Sequence, residues 1–248
     1  MCRQLAYLGP PMALRELVVD PPSGLYRQSW APRLQQHGTM NVDGFGIGWY
    51  AEGDPVPARY RRAGPVWADE GFADLARVVR SGAVLAAVRS ATHGCAAGEQ
   101  AAAPFAAGPW LFAHNGVLPG WPERLGGLAA QLPPAELLSL TARTDSALVW
   151  ALALNRLRAG AELGEALADT VREVAKHTDA RLNLLLTDGS SLAATAWGDD
   201  LHHRSGPGSV LVASEPGDDA PGWRRVPDRS LLLATSEGVT VLPLDRTN

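Results

Sequence analysis

Two consecutive helical segments in the middle of the chain constrain its fold most, because the segments flanking them read mainly as strands. Thr144 or Asp145 can cap a helix that runs to about Arg158, and its apolar residues cover nearly all faces, so it must be buried. Leu163, Leu167, Val171 and Val174 then form one apolar stripe at helical spacing, which gives an amphipathic helix beside it. Upstream, residues 3–8, 45–50, 83–89 and 110–114 read as strands, with helices over 13–19 and 69–80. Downstream, residues 181–187 and 192–197 flank Asp188-Gly189, a strong hairpin signal, and 209–214, 230–235 and 239–244 continue as strands. This order suits an α+β protein with helices covering sheets in layers within one domain. Strands at both ends of the chain are easiest to reconcile if the N-terminal strand lies inside a sheet, which would bury Cys2 in the fold.

Composition narrows the function classes. The 248 residues leave ample length for a hydrophobic core. A formal charge of −4, with no basic run interleaved with aromatics, argues against a nucleic-acid partner. The longest apolar stretch, residues 147–154, is too short to span a bilayer, and the N-terminus lacks the apolar core of a secretory signal. A cytoplasmic protein without membrane contact is therefore expected. Cys2 and Cys95 are the two cysteines, and no Cys-x-x-Cys or His-x-x-x-His spacing suggests a metal site. No cofactor is expected either. Residues 20–39, with Pro21, Pro22, Gly24 and Pro32, read as a long surface loop, which is more often functional than not.

Four short segments can carry chemistry. Cys2 follows the initiator Met1, and a small second residue favours methionine removal. Removal would leave one residue holding a thiol, of pKa about 8.5, and an α-amine of about 7.7–8.0 that can act as its base. Arg89-Ser90-Ala91-Thr92-His93-Gly94 follows a strand, so the Arg89 fork is aimed into a loop-lined cleft where it suits a carboxylate or a surface ion pair. His93 alone reads as a hydrogen-bonded structural histidine. His114-Asn115-Gly116 could supply an oxyanion hole from an amide and a closely approaching backbone N–H, although Asn-Gly is also a plain turn signal. Thr144-Asp145-Ser146 is explained first by helix capping, with an acceptor for a substrate ammonium as an additional role. Cys95, His37, His177 and His202-His203 read as structural or solvent-exposed.

Taken in order, Cys2, Arg-Ser-x-Thr-His-Gly, His-Asn-Gly and Thr-Asp-Ser resemble the class II glutamine amidotransferase domain. That resemblance implies a four-layer αββα Ntn-hydrolase sandwich, two antiparallel sheets between helix layers, as a single domain over residues 2–248 after loss of Met1. It implies Cys2 as nucleophile, Arg89 on the α-carboxylate of a γ-glutamyl group with Thr92 and His93 lining the pocket, and Asp145 on its α-ammonium. Asn115, through its side chain, and Gly116, through its backbone N–H, would form the oxyanion hole. Segments such as Asn41-Val42-Asp43-Gly44-Phe45-Gly46 and Ala213-Ser214-Glu215-Pro216 are similar to stand-alone members of the family. The most similar branch cleaves γ-glutamyl-hercynylcysteine sulfoxide in ergothioneine biosynthesis. Many relatives carry Glu after the Asp-Ser pair, whereas Ala147 stands here, which removes an outer carboxylate but leaves Asp145.

The expected partner is then a small γ-glutamyl substrate. No acceptor domain follows the motifs, so hydrolysis without an obligatory synthase is expected, with the oligomeric state open. Trp30 and Trp49, and more weakly Tyr26, could meet a trimethylammonium by cation–π contact, but core or loop packing explains them first. Two alternatives stay open: a glutathione hydrolase or glutaminase subunit of the same fold, and a catalytically silent binding module.

Overall fold

A computed structural model of the chain describes residues 2–92 and 94–244. In chain order the first strands and helices are β1 (Arg3–Ala13), α1 (Leu14–Val18), α2 (Leu25–Gln28), β2 (Phe45–Trp49), β3 (Ala58–Arg62), α3 (Phe72–Val78) and β4 (Arg80–Val88). The middle holds β5 (Phe105–Ala107), β6 (Trp110–Val117), α4 (Gly126–Ala129), α5 (Pro134–Leu138), α6 (Asp145–Arg158) and α7 (Leu163–His177). Seven strands close the described chain: β7 (Arg181–Thr187), β8 (Ser191–Ala196), β9 (His202–Gly206), β10 (Ser209–Ala213), β11 (Arg224–Arg225), β12 (Ser230–Thr235) and β13 (Gly238–Pro243).

The strands form two sheets, β11-β9-β10-β1-β4-β2-β3 and β13-β12-β8-β7-β6-β5, in which neighbouring strands run antiparallel. Period-two alternation sorts their side chains. Ala6 and Leu8 of β1, Leu85 and Ala87 of β4, Leu111 and Ala113 of β6, and Leu185 of β7 share one buried cluster between the sheets. Many of these inner residues are alanine, which brings the sheets close. At Gly48 of β2 a Cβ would stand 2.7 Å from the Leu111 side chain, so the approach leaves no room for even a methyl group there unless Leu111 moves. The opposite faces carry the larger residues. Leu5, Tyr7, Val84 and Val88 pack with Leu14, Leu17 and Phe72 of α1 and α3, while Phe112, Leu184 and Leu186 pack with α6 and α7. The result is the four-layer αββα sandwich.

Local signals account for the element ends. Thr144 caps α6 from an extended backbone, its hydroxyl accepting the Ala147 N–H at 3.1 Å. Helix α6 is buried around most of its circumference, and the Leu163, Leu167, Val171 and Val174 stripe of α7 faces the core. Gly189 turns the β7–β8 hairpin at φ 91°, with Asp188 Oδ1 accepting the N–H groups of Ser190 and Ser191.

Three features differ from the sequence expectations. Strand β1 continues past residue 8 to Ala13, with an irregular register between Leu8 and Met12. Residues 20–39 are not without structure. They contain α2, and Glu215 ties them down by accepting the N–H groups of Arg33 at 3.0 Å and Leu34 at 2.6 Å. Strands β3 (Ala-Arg-Tyr-Arg-Arg) and β9 (His-His-Arg-Ser-Gly) lie near the sheet margin and lack the apolar alternation that marks a half-buried strand, so periodicity passes over them.

Candidate active site

The site lies at one end of the sandwich, and strand pairing brings its parts together. β1 sits between β10 and β4, with Arg3 opposite Val88, so Cys2 stands beside the segment that leaves β4. The Cys2 Sγ is 3.8 Å from the carbonyl oxygen of Ser90. By alternation with Ala6 and Leu8, Cys2 belongs to the inner face, and Arg89 follows Leu85 and Ala87 onto that same face. In the second sheet Asn115 continues the inward set of Leu111 and Ala113 on β6. Asn115 is fully buried, and neither end of its side-chain amide has a hydrogen-bond partner among the described residues. A Cβ on Gly116 would run into the backbone carbonyl of Arg181 and the His114 ring, so only glycine fits there.

Arg89 and Asp145 are both buried and held in different ways. The Arg89 guanidinium donates to the carbonyls of Ala96 at 2.8 Å and Asp43 at 3.4 Å, and among the described residues it forms no ion pair with a carboxylate. Asp145, the first residue of α6, receives the N–H of Ser146 on Oδ1 at 2.8 Å and the N–H of Leu118 on Oδ2 at 3.2 Å. His114 joins β6 to this helix end. Its Nε2 is 3.0 Å from the Arg181 carbonyl, which can only accept, so the proton sits there and Nδ1 accepts the Ser146 hydroxyl at 2.9 Å. Thr92 is half-buried, its carbonyl accepting the Cys95 N–H at 3.1 Å. His93 lies outside the described residues.

Comparisons with known proteins show the family. A family profile described as class II glutamine amidotransferases matches residues 25–207. The chain belongs to that family. It is 44% identical over 245 residues to the gamma-glutamyl-hercynylcysteine sulfoxide hydrolase of Mycolicibacterium smegmatis, covering 98% of this chain and 100% of that one. A Mycobacterium tuberculosis protein of the same name is 43% identical over 247 residues, covering 99% and 98%. Among solved structures, a glutamine aminotransferase class-II domain protein from Silicibacter pomeroyi matches with a TM-score of 0.70 at 24% identity, over 98% of this chain and 100% of that one. The glutamine phosphoribosylpyrophosphate amidotransferase of Bacillus subtilis matches with a TM-score of 0.68 at 17% identity, over 99% of this chain and 50% of that one. These two structural likenesses speak for the fold alone.

Within this family member the electrostatics centre on the Cys2 sulfur. Burial pushes the Cys2 thiol up, while a backbone hydrogen bond at Ser90 and the Arg89 charge draw it down and the Asp145 charge raises it. The other thiol, Cys95, is also pushed up, to about 11, first by burial and then by the Asp145 carboxylate. Its Sγ donates to Asp145 Oδ1 at 3.6 Å, which makes it neither a remote structural nor a fully exposed residue. Around the site, Gln4 Nε2 donates to the Asn183 carbonyl across the two sheets at 2.8 Å, and Asp43 Oδ2 accepts the Ala91 N–H at 2.7 Å. Ser214 Oγ accepts the Gln4 N–H at 3.1 Å, which gives a structural purpose to the Ala-Ser-Glu-Pro segment.

Sequence reasoning assigned no role to Gln4, Asp43 or Asn183 and read Cys95 as structural or exposed. Asp43 lies in a motif that marked the resemblance, whereas no local pattern separates Cys95 from an incidental cysteine. Trp30, one of the aromatic candidates, packs edge-on against Tyr26 and Trp67 at 5.1 and 5.3 Å, and the Arg27 guanidinium lies over its ring.

Proposed function

We propose that this chain is an amidohydrolase that cleaves the γ-glutamyl amide of γ-glutamyl-hercynylcysteine sulfoxide, in ergothioneine biosynthesis, through a Cys2 thioester formed after Met1 is removed. One observation carries the chemistry: a thiol at the Ser90 carbonyl, next in the chain to a buried guanidinium that has no paired acid among the described residues, with a buried carboxylate and a buried amide that has no partner among them. A γ-glutamyl group presents the complementary set, namely a carboxylate, an ammonium and a carbonyl oxygen that becomes an anion. The choice of leaving group rests on the two mycobacterial relatives, which align over almost their whole length.

In the first step the Cys2 α-amine takes the thiol proton and the sulfur bonds to the γ-carbonyl carbon. Arg89 holds the substrate α-carboxylate, Asp145 its α-ammonium, and Thr92 and His93 line that pocket. The Asn115 side chain and the Gly116 N–H donate to the oxyanion. As the tetrahedral intermediate collapses, the C–N bond breaks and the protonated Cys2 α-amine passes its proton to the departing amine. Water then adds to the thioester, the amine again takes a proton, and the C–S bond breaks to release glutamate. No metal, cofactor, nucleic acid or synthase takes part. The working unit is one domain over residues 2–248, and a reduced nucleophilic thiol suits the cytoplasm.

Intact mass should show loss of Met1, and Cys2→Ala should abolish turnover while the fold persists. Full activity in that variant would end the mechanism. Comparing kcat/KM for the sulfoxide, glutathione and glutamine tests the substrate. A preference for either of the latter two would replace the proposed leaving group, and no turnover of any would favour a silent binding module.

A further inference from the structure

We infer that Cys95 is a positioning residue for γ-glutamyl recognition: from the loop that anchors Arg89, its thiol orients the Asp145 carboxylate toward the substrate ammonium. The inference rests on the proposed role of Asp145, and three observations support it.

The first concerns the donors around Asp145. Its Oδ1 receives the Ser146 N–H and its Oδ2 the Leu118 N–H, both from backbone. The Ser146 hydroxyl lies 3.5 Å from Oδ1, but its single proton is committed to His114 Nδ1 at 2.9 Å. Cys95 is then the side-chain donor to this carboxylate among the described residues, at a distance ordinary for sulfur. A carboxylate offers about four lone-pair directions, so two N–H groups and one S–H leave one for a ligand.

The second concerns the loop. Residues 95 and 96 reach both ends of the proposed amino-acid pocket: Cys95 touches Asp145, and the Ala96 carbonyl takes the Arg89 Nη2 at 2.8 Å. The Ala96 N–H donates to the Arg143 carbonyl at 2.9 Å, fastening this turn to the segment that enters α6. One short turn thereby sets the spacing between the carboxylate-binding and ammonium-binding groups. The fully buried amide of Asn115, which has no partner among the described residues, independently marks the same cleft as built to receive a ligand.

The third is chemical. With its thiol pushed up to about 11, Cys95 stays protonated at neutral pH and remains a donor. Because S–H is a weak donor, it orients the carboxylate without neutralising it, and the negative charge is kept for the ammonium.

The test uses the full chain carrying Cys2→Ala, which binds without turnover and leaves Cys95 as the sole cysteine. Calorimetry compares L-glutamate with glutarate, which lacks the α-ammonium. Adding Cys95→Ala should weaken glutamate binding about tenfold, as expected for loss of a hydrogen bond to a charged group, and leave glutarate unchanged. Cys95→Ser, which keeps a donor, should restore glutamate to within about threefold. If Cys95→Ala does not fold, capping Cys95 in the folded Cys2→Ala protein with methyl methanethiosulfonate removes the same donor and should give the same selective loss.

Equal weakening of both ligands, or no rescue by serine, would show a merely structural role and overturn the inference. Asp145→Asn separates the two levels. If it weakens glutamate while Cys95→Ala does not, the inference falls and the Asp145 assignment stands. If Asp145→Asn leaves glutamate binding intact, both fall.

Discussion

At the scale of single residues, the clearest contrast is between Asn115 and its strand neighbour His114. Both are buried, yet His114 has a partner for each ring nitrogen and Asn115 has none among the described residues for either end of its amide. A buried polar group without a partner is costly to folding, so its retention fits use by a ligand. Asn115→Ala should therefore lower kcat by about 100–1,000-fold, the usual loss for one oxyanion donor. Its urea midpoint should shift little, because removing an unpartnered amide offsets the cavity left behind. Activity within about threefold of the parent, measured on the same preparation, would remove Asn115 from the oxyanion hole. The residue types of this site were legible early, since Cys2, Arg89, Asn115 and Asp145 lie in recognisable short motifs. Cys95 was not, because its importance comes from an Asp145 contact fifty positions away in sequence.

At the scale of elements, α6 and α7 follow from local rules, and their caps, charges and apolar faces agree with one another. The C-terminal end of α7 carries a titratable lock. Hydrogen bonding from Lys176, then from Gln131, with a further bond from His177, draws the Glu173 carboxyl down to about 2. An unfolded glutamate titrates near 4.3, so this group stabilises the fold fully above that pH, and the contribution is lost as pH falls toward 2. Glu173→Gln should consequently show a shallower fall in urea midpoint between about pH 5 and pH 2 than the parent. Parallel curves over that window would show that these contacts contribute nothing, as many exposed pairs do. The elements that escaped sequence reading share one trait. Strands β3 and β9 are rich in arginine and histidine near the sheet margin, so only pairing with a neighbour makes them strands.

At the scale of the whole molecule, the proposed nucleophile lies at the start of one sheet and the proposed oxyanion amide in the other, so the proposed chemistry depends on how the sheets are held together. Gln4 spans them at the cleft, donating to the Asn183 carbonyl two residues beyond Cys2 in the chain. Gln4→Met keeps similar volume but removes the side-chain donor that reaches across the sheets to that carbonyl. It should cost about 0.5–1.5 kcal/mol in urea unfolding and lower kcat more than it raises KM. A stability loss with kcat unchanged would show that the sheets keep their spacing without this bond.

The amino-acid sequence by itself determined the chemistry available at residue 2, the capped start of α6, the amphipathic stripe of α7 and the Asp188-Gly189 hairpin. Each depends on neighbours a few positions apart, where backbone and side-chain preferences act directly. Only the tertiary structure decided that β1 runs between β10 and β4, that the turn at Ala96 joins Arg89 to the segment entering α6, and that the Cys95 thiol reaches Asp145. Those facts arise from strand register and sheet stacking, which bring together residues tens to hundreds of positions apart, and no short-range periodicity encodes such pairings.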